Sequence, residues 1–160
     1  MKKILIFGNS GSGKSTLANK IANTEGMAHL DLDGLAWLPV SPPVRAHVAE
    51  SSEKIQSFLA ENNSWVIEGC YTDLLDLISS EATEIKFLNL PVDLCIENAK
   101  QRPWEPHKYE TSKAQDDNLE MLIGWISQYV ERDDVFSLQS HMKLYESFVG
   151  KKTMYTQNVE

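Results

Sequence analysis

A glycine-rich loop near the N-terminus contains the residues whose types and spacing are best suited to a chemical function. Residues 8–15 read Gly-Asn-Ser-Gly-Ser-Gly-Lys-Ser and directly follow an apolar run at residues 4–7. In such a loop the glycines let backbone N–H groups turn toward phosphate oxygens, the lysine neutralises β- and γ-phosphate charge, and the serine hydroxyl binds Mg²⁺. The pattern predicts a nucleoside triphosphate site formed by Gly8, Asn9, Ser10, Gly11, Ser12, Gly13, Lys14, Ser15 and Thr16.

Two aspartates follow the second predicted strand, which covers residues 27–32. Asp31 and Asp33 are two positions apart, so alternation along an extended chain sends both carboxylates to one side. Ligands of open α/β sheets collect at the carboxyl ends of the strands. We expect Asp31 to hold Mg²⁺ through water beside Ser15, and Asp33 to accept the proton of a substrate hydroxyl. The alternative is that one aspartate caps the following turn.

Two further charged residues are candidates for the same edge of the sheet. Glu68 ends a third predicted strand, over residues 65–67, where an acid needs a partner, water or a metal. It is expected near Mg²⁺ or the substrate, the alternative being an ion pair with a neighbouring Lys or Arg. Arg102 lies in a polar segment, residues 101–115, which is predicted as a short lid over the transferring phosphate; a solvated surface run is the alternative. Three lysines accompany Arg102 around this segment: Lys100, Lys108 and Lys113.

Trp37, Arg45 and Tyr71 lie just past the ends of the second and third predicted strands. An acceptor in line with the triphosphate would have to bind there, so we expect these side chains to contact it. Arg45 would suit an anionic acceptor, and the alternative is an unspecialised surface arginine.

Strand and helix patterns alternate along the whole chain, which predicts an α/β fold with a parallel sheet between helices. The first strand is expected at residues 2–7 and is followed by a helix over 15–24, while a short helix begins at 74–78. The remaining expected elements are helices over 44–61, 116–131 and 135–148, a helix that Asp93 caps before the polar segment at 101–115, and strands over 84–90 and 152–156.

Composition narrows the classes of function. A chain of 160 residues that is 42% hydrophobic fits one domain over 1–160 with a proper core. The net charge of −8 disfavours direct nucleic-acid binding, since that binding depends on Lys and Arg. Two isolated cysteines suggest neither a disulfide framework nor zinc. With no leader-like start and no membrane-length apolar run, we expect a cytoplasmic protein.

Taken together, the loop at 8–15, the Asp31/Asp33 pair, Trp37 and the run at 65–71 resemble adenylate-kinase-related bacterial proteins, the DNA topology modulation protein family. More distantly, the chain is similar to nucleoside monophosphate and shikimate kinases. The resemblance implies a three-layer P-loop NTPase with a five-stranded parallel sheet in the order 2-3-1-4-5 and a short lid. It also matches Asp33 to an acceptor-binding acid, and Glu68 with Gly69 to the strand-three ending of adenylate kinases.

The chain is therefore predicted to be a small-molecule kinase that transfers the γ-phosphoryl group of ATP to an unidentified acceptor, with Lys14, Asp33 and Arg102 as catalytic residues. ATP is favoured over GTP by the resemblance, and because no Asn-Lys-x-Asp run is present. The alternative is a nucleotide-responsive regulator related to DNA topology, with little chemistry of its own. Residues 72–80 contain no base, and Asn98 stands where relatives tend to carry arginine, which makes an uncharged or differently held acceptor more plausible.

Overall fold

The computed structural model of the chain describes residues 1–159 and contains seven strands and seven helices over that range. The strands are β1 Lys3–Gly8, β2 Ala28–Asp31, β3 Trp37–Leu38, β4 Val44–Arg45, β5 Trp65–Gly69, β6 Glu84–Leu88 and β7 Lys151–Tyr155. The helices are α1 Lys14–Glu25, α2 Asp33–Ala36, α3 Val48–Glu61, α4 Thr72–Ser79, α5 Val92–Gln101, α6 Ser112–Ser127 and α7 Leu138–Ser147.

Five of the strands form one parallel sheet in the order β2-β5-β1-β6-β7. Counted among the sheet strands alone, this order is 2-3-1-4-5, which confirms the predicted topology. The order places β1 at the centre, where its residues are buried on both faces, as expected for an uninterrupted apolar run in a parallel sheet. The carboxyl ends of β1, β2 and β5 therefore meet at one edge.

The core has two halves because side chains of β1 alternate between the faces of the sheet. Leu5 and Phe7 pack in one cluster with residues of α3, α4 and α7. Ile4 and Ile6 pack in the other with residues of α1, α5 and α6. The result is the predicted three-layer arrangement. None of the helices within residues 1–159 combines the length and apolar character needed to span a membrane.

One predicted helix is too long at its N-terminal end. The pattern over 44–61 predicts a single helix, but α3 begins at Val48, and β4 instead pairs antiparallel with β3. Two consecutive prolines, at 42 and 43, favour extended backbone just before β4. The Ala46 N–H then donates to the carbonyl of Ala36 (2.9 Å), which attaches this hairpin to α2. Such a contact between distant residues cannot be predicted from helical periodicity.

Two other helices begin at positions different from those predicted, and a side-chain cap stabilises each start. The helix predicted over 116–131 begins four residues earlier, at Ser112, because the Thr111 hydroxyl accepts from the Ala114 N–H (3.0 Å). The helix predicted over 135–148 begins at Leu138, where the Ser137 hydroxyl accepts from the Ser140 N–H (3.0 Å). The amphipathic pattern located both helices, and the caps fixed where they start.

A fully buried histidine connects α7 to the sheet. The Nε2 atom of His141 lies 2.9 Å from the Cys70 carbonyl oxygen, and its Nδ1 atom lies 2.6 Å from the Tyr129 hydroxyl. A carbonyl only accepts, so Nε2 carries the proton and Nδ1 accepts from the tyrosine. The ring also packs edge-on against Phe7 and Phe87. Burial lowers the pKa of His141 to about 4.

This histidine should make stability fall on acidification. Its folded-state pKa of about 4 lies below its ordinary value of 6.5, so the unfolded chain takes up the proton first. Between pH 7.5 and 5, His141 should therefore cost about 2 kcal/mol of unfolding free energy. Urea unfolding of the wild type and His141→Gln at both pH values measures the difference. Parallel pH dependences would contradict a buried neutral imidazole.

Candidate functional site

The glycine-rich loop lies between β1 and α1, packed tightly against its neighbours. A Cβ atom on Gly8 would lie 2.5 Å from the Leu88 carbonyl oxygen. One on Gly11, which has φ +79°, would lie 2.4 Å from the Cys95 carbonyl oxygen. Both positions therefore require glycine. Because α1 starts at Lys14, the loop also presents the N-terminus of a 12-residue helix, a favourable place for phosphate.

Most predicted loop residues line one cleft of about 490 Å³ at the carboxyl edge of the sheet. Those in its wall are Ser10, Gly11, Gly13, Lys14, Ser15 and Thr16. Ser12 lines an adjoining cleft of about 350 Å³, which shares Gly11, Gly13 and Thr16 with the first, and its buried hydroxyl has no hydrogen-bond partner within residues 1–159. The loop therefore contributes to the walls of two adjoining clefts.

Asn9 holds the loop in place through its side chain, and its contact with a nucleotide stays a prediction. Its side chain is buried, and its Nδ2 donates to the Ile126 carbonyl (3.2 Å), which joins the loop to α6. Its own carbonyl accepts from the Lys14 ammonium (2.8 Å). Lys14 is thereby held along the loop, facing the cleft that it lines.

Glu68, near the end of β5, is 2% exposed and satisfied by two partners. Its Oε1 accepts from the Ser15 hydroxyl (2.8 Å), and its Oε2 lies 2.8 Å from Nε2 of His29. The partner is thus a histidine, where sequence analysis considered only Lys or Arg. The hydrogen bond to Glu68 raises the pKa of His29, against the lowering effect of burial. Glu68 therefore links Ser15 and His29 through its two carboxylate oxygens.

Asp31 and Asp33 both line the cleft but have different surroundings. Asp31 ends β2, and its Oδ1 accepts from the Asp33 N–H (2.9 Å), so the turn-capping alternative holds for one of its oxygens. Burial, Glu68 and Asp33 together raise the pKa of Asp31. Asp33 instead begins α2, so it is positioned by the start of this helix and not by continued strand alternation.

Both carboxylate oxygens of Asp33 are engaged. Oδ1 accepts from the Tyr71 hydroxyl, and that hydroxyl accepts from the Trp37 indole N–H (2.8 Å). Oδ2 accepts from the Lys108 ammonium (3.2 Å). Burial acts to raise the pKa of Asp33, but Lys108, Tyr71 and Lys14 outweigh it and the pKa is lowered. Asp33 is therefore an ionised hydrogen-bond acceptor, held in place from two sides.

Arg45, on β4, lies behind Asp33 and carries its own counterion. Its guanidinium lies 3.2 Å from Oδ2 of Asp73 on α4, and its Nε donates to the Ala36 carbonyl (3.2 Å). The guanidinium carbon is 4.8 Å from the centre of the Tyr71 ring. Gly69 is also a packing position here, since a Cβ on it would lie 2.9 Å from side-chain atoms of Leu32.

The segment predicted as a lid comprises the end of α5, an irregular stretch and the first turn of α6. Arg102, Glu105 and Lys108 of this segment line the main cleft together with residues of the loop. The Arg102 guanidinium lies 3.2 Å from Glu105, and the Lys108 ammonium lies 3.9 Å from the same residue. Lys108 therefore connects this segment to Asp33 on the far wall.

No protein-family model matches the chain. It is 28% identical over 137 residues to YqaC, an uncharacterised protein of Bacillus subtilis strain 168, with 80% of this chain and 72% of YqaC covered. TT1252 from Thermus thermophilus superposes with a TM-score of 0.55 at 14% identity, over 96% of this chain and 87% of TT1252. A sugar kinase from Janibacter sp. HTCC2649 superposes with a TM-score of 0.50 at 12% identity, over 96% and 84%.

The fold is that of the kinase-like P-loop NTPases. This establishes the predicted fold class. The identities to both solved structures are too low to carry over more than the fold, so the role of each side chain has to be argued from its contacts.

Two residues of the site were missed or underrated by sequence analysis. His29 lies two positions before Asp31 on β2, so the alternation that pointed to Asp31 also places His29 on that face. The alternation along β2 therefore indicates His29 as well as Asp31. Lys108 gave no comparable signal, because it stands in a polar segment among other charges and its contact with Asp33 spans 75 positions of the chain.

Proposed function

We propose that the chain is an ATP-dependent phosphotransferase that moves the γ-phosphoryl group of ATP to a hydroxyl group of a small molecule. The observation that supports this best is a single cleft. It has the Lys14 and Ser15 side chains on one wall and the ionised, doubly held Asp33 carboxylate on another. A donor site for phosphate and an acceptor for a hydroxyl proton are the two halves of such a reaction.

On the donor side, the loop backbone and Lys14 would bind the triphosphate, and Arg102, which lines the same cleft, would stabilise the charge that develops on the transferring group. Residues 1–159 hold no cluster of three or more His, Cys, Asp or Glu side chains suited to a metal. Mg²⁺ nevertheless fits here, because it takes few protein oxygens and keeps several waters. Ser15 and Asp31 would hold it, with Glu68 bonded to the Ser15 hydroxyl, and it would neutralise phosphate charge.

On the acceptor side, Asp33 orients the attacking hydroxyl by accepting its hydrogen bond. The lowered pKa makes this carboxylate a weak base, which suits phosphoryl transfer, where the nucleophile needs little deprotonation before the loose transition state. The proton passes to Asp33 as the new O–P bond forms and the bond from the γ-phosphorus to the β–γ bridging oxygen breaks, which releases ADP. Tyr71 and Trp37 hold the carboxylate in place during this step.

The test is to incubate the purified protein with Mg-ATP and a broad panel of hydroxyl acceptors and to measure ADP release, with calorimetry of a non-hydrolysable ATP analogue alongside. Acceptor-dependent ADP release that chelation by EDTA abolishes is the expected result. Tight analogue binding with no turnover on any acceptor would overturn the kinase proposal and favour a nucleotide-responsive regulator. Absence of analogue binding would overturn the donor site itself.

A further inference from the structure

The cations around the acceptor side of the cleft are already matched by carboxylates. Four carboxylates line the main cleft, from Asp31, Asp33, Glu68 and Glu105, against three Lys or Arg side chains. Of these three cations, Lys14 is bonded to the loop at the Asn9 carbonyl, on the donor side. The other two are paired, Arg102 with Glu105 and Lys108 with Asp33.

Arg45 is the cation that sequence analysis assigned to an anionic acceptor, and it is neutralised in the same way. Asp73 contacts its guanidinium at 3.2 and 3.4 Å, and both side chains are about three-quarters buried, with 23% and 26% of their surfaces exposed. Aromatic rings of Trp37, Tyr71 and Phe136 surround the guanidinium, with centres 5.9, 4.8 and 5.6 Å away. Asp73 therefore already neutralises the Arg45 charge that would attract an anion.

The donor adds to this imbalance. A bound triphosphate engages Lys14 and Arg102, and even with its Mg²⁺ it brings net negative charge to the cleft. An acceptor carrying phosphate or carboxylate would then face Asp31, Asp33 and the γ-phosphate, while each Lys and Arg side chain of the described cleft wall is already bonded to a carboxylate or to the loop backbone. Like charges in a partly buried site repel strongly because water screens them poorly.

We infer that the phosphoryl acceptor is an alcohol without an anionic group, and that Asp73 sets this selectivity by neutralising Arg45. The inference rests on the proposed phosphotransferase function, and it adds the chemical class of the second substrate. Asp33 supplies the contact for the reacting hydroxyl, and the exposed part of the Trp37 ring, 39% of the residue, offers an apolar face for the carbon skeleton.

The decisive variant is Asp73→Asn, which preserves the size of the side chain and removes its charge. Calorimetry with inorganic phosphate, at a saturating concentration of a non-hydrolysable ATP analogue, reports anion binding outside the donor site. We expect Asp73→Asn to bind phosphate at least about tenfold more tightly than the wild type, the strength of one charge-assisted hydrogen bond. Combining it with Arg45→Gln should remove the gain.

Two control variants distinguish the effect of losing the Asp73 charge from an effect on the folded structure. Asp76→Asn removes the same charge from an exposed position on the same helix and should leave phosphate binding at the wild-type level. Asp73→Glu restores the charge and should behave like the wild type, and thermal melts of every variant report folding. Equal phosphate binding by the wild type and Asp73→Asn would overturn the role of Asp73.

The acceptor class is tested separately, with compounds matched in skeleton and differing in charge: glucose, glucosamine, gluconate and glucose 6-phosphate, and further sets of polyols built in the same way. Higher kcat/KM for the neutral and amine-bearing members supports the inference. Preference for the carboxylate or phosphate members would overturn it while leaving the kinase proposal intact. If the analogue does not bind at all, the proposed function fails first, and calorimetry shows this directly.

Discussion

Replacing Lys14 with alanine should lower kcat/KM for Mg-ATP by about 10²- to 10³-fold, the usual loss when one fixed charge-stabilising group is removed. The Lys14 ammonium lines the cleft and is held along the loop by the Asn9 carbonyl (2.8 Å). Its charge is therefore in place before the nucleotide arrives. ADP release under saturating acceptor, together with calorimetry of a non-hydrolysable analogue, measures the effect on turnover and on binding.

Lys54→Ala is the matched control for this variant. Lys54 is an exposed lysine on α3 and does not belong to the wall of the cleft. Its substitution should leave both quantities unchanged. If Lys14→Ala retained wild-type affinity and turnover, the loop would not be the donor site, and the proposed function would fail with it.

The second large effect is expected for Asp33→Asn, which should reduce kcat by about 10²- to 10⁴-fold, the contribution typical of a positioned general base. Asparagine preserves a carbonyl that can accept from Tyr71, so the local structure should survive. It loses the negative charge that pairs with Lys108 (3.2 Å) and receives the hydroxyl proton. Affinity for the ATP analogue should change little, because the carboxylate belongs to the acceptor side.

Asp133→Asn, an exposed aspartate outside the cleft, controls for the loss of one charge. A proportional fall of analogue affinity and kcat in Asp33→Asn would indicate a damaged donor site and contradict the assigned role. Unchanged kcat would show that the hydroxyl is oriented by another group.

The fold was largely predictable because its determinants are local or periodic. The apolar run at 4–7, the glycine loop and the following helix identify β1 and α1 from adjacent residues. The strand order came from the resemblance and not from the pattern, since periodicity carries no information about which strands are neighbours. The β3–β4 hairpin was missed because only its contacts with α2 reveal it.

The sequence predicted which residues line the candidate site, but it did not predict which side chains pair with one another there. Glycine spacing and strand-end acids pointed to the loop, Asp33 and Glu68, and all three lie at the same edge of the sheet. Partners such as His29 for Glu68, Asp73 for Arg45 and Lys108 for Asp33 depend on how distant elements pack. The membership of the chain in the DNA topology modulation family stays a prediction from its motifs.

The contact between the glycine loop and α5 has a mechanical consequence. Gly11 lies against the Cys95 carbonyl, and the Asn98 side chain donates to the Gly11 carbonyl (2.8 Å), so two successive turns of α5 are fixed to the loop. Arg102 is the C-cap residue of this helix, at the end of a rigid rod about 15 Å long. We therefore expect the hinge of any closing motion to lie after Arg102, with the rod staying still while residues 103–111 swing.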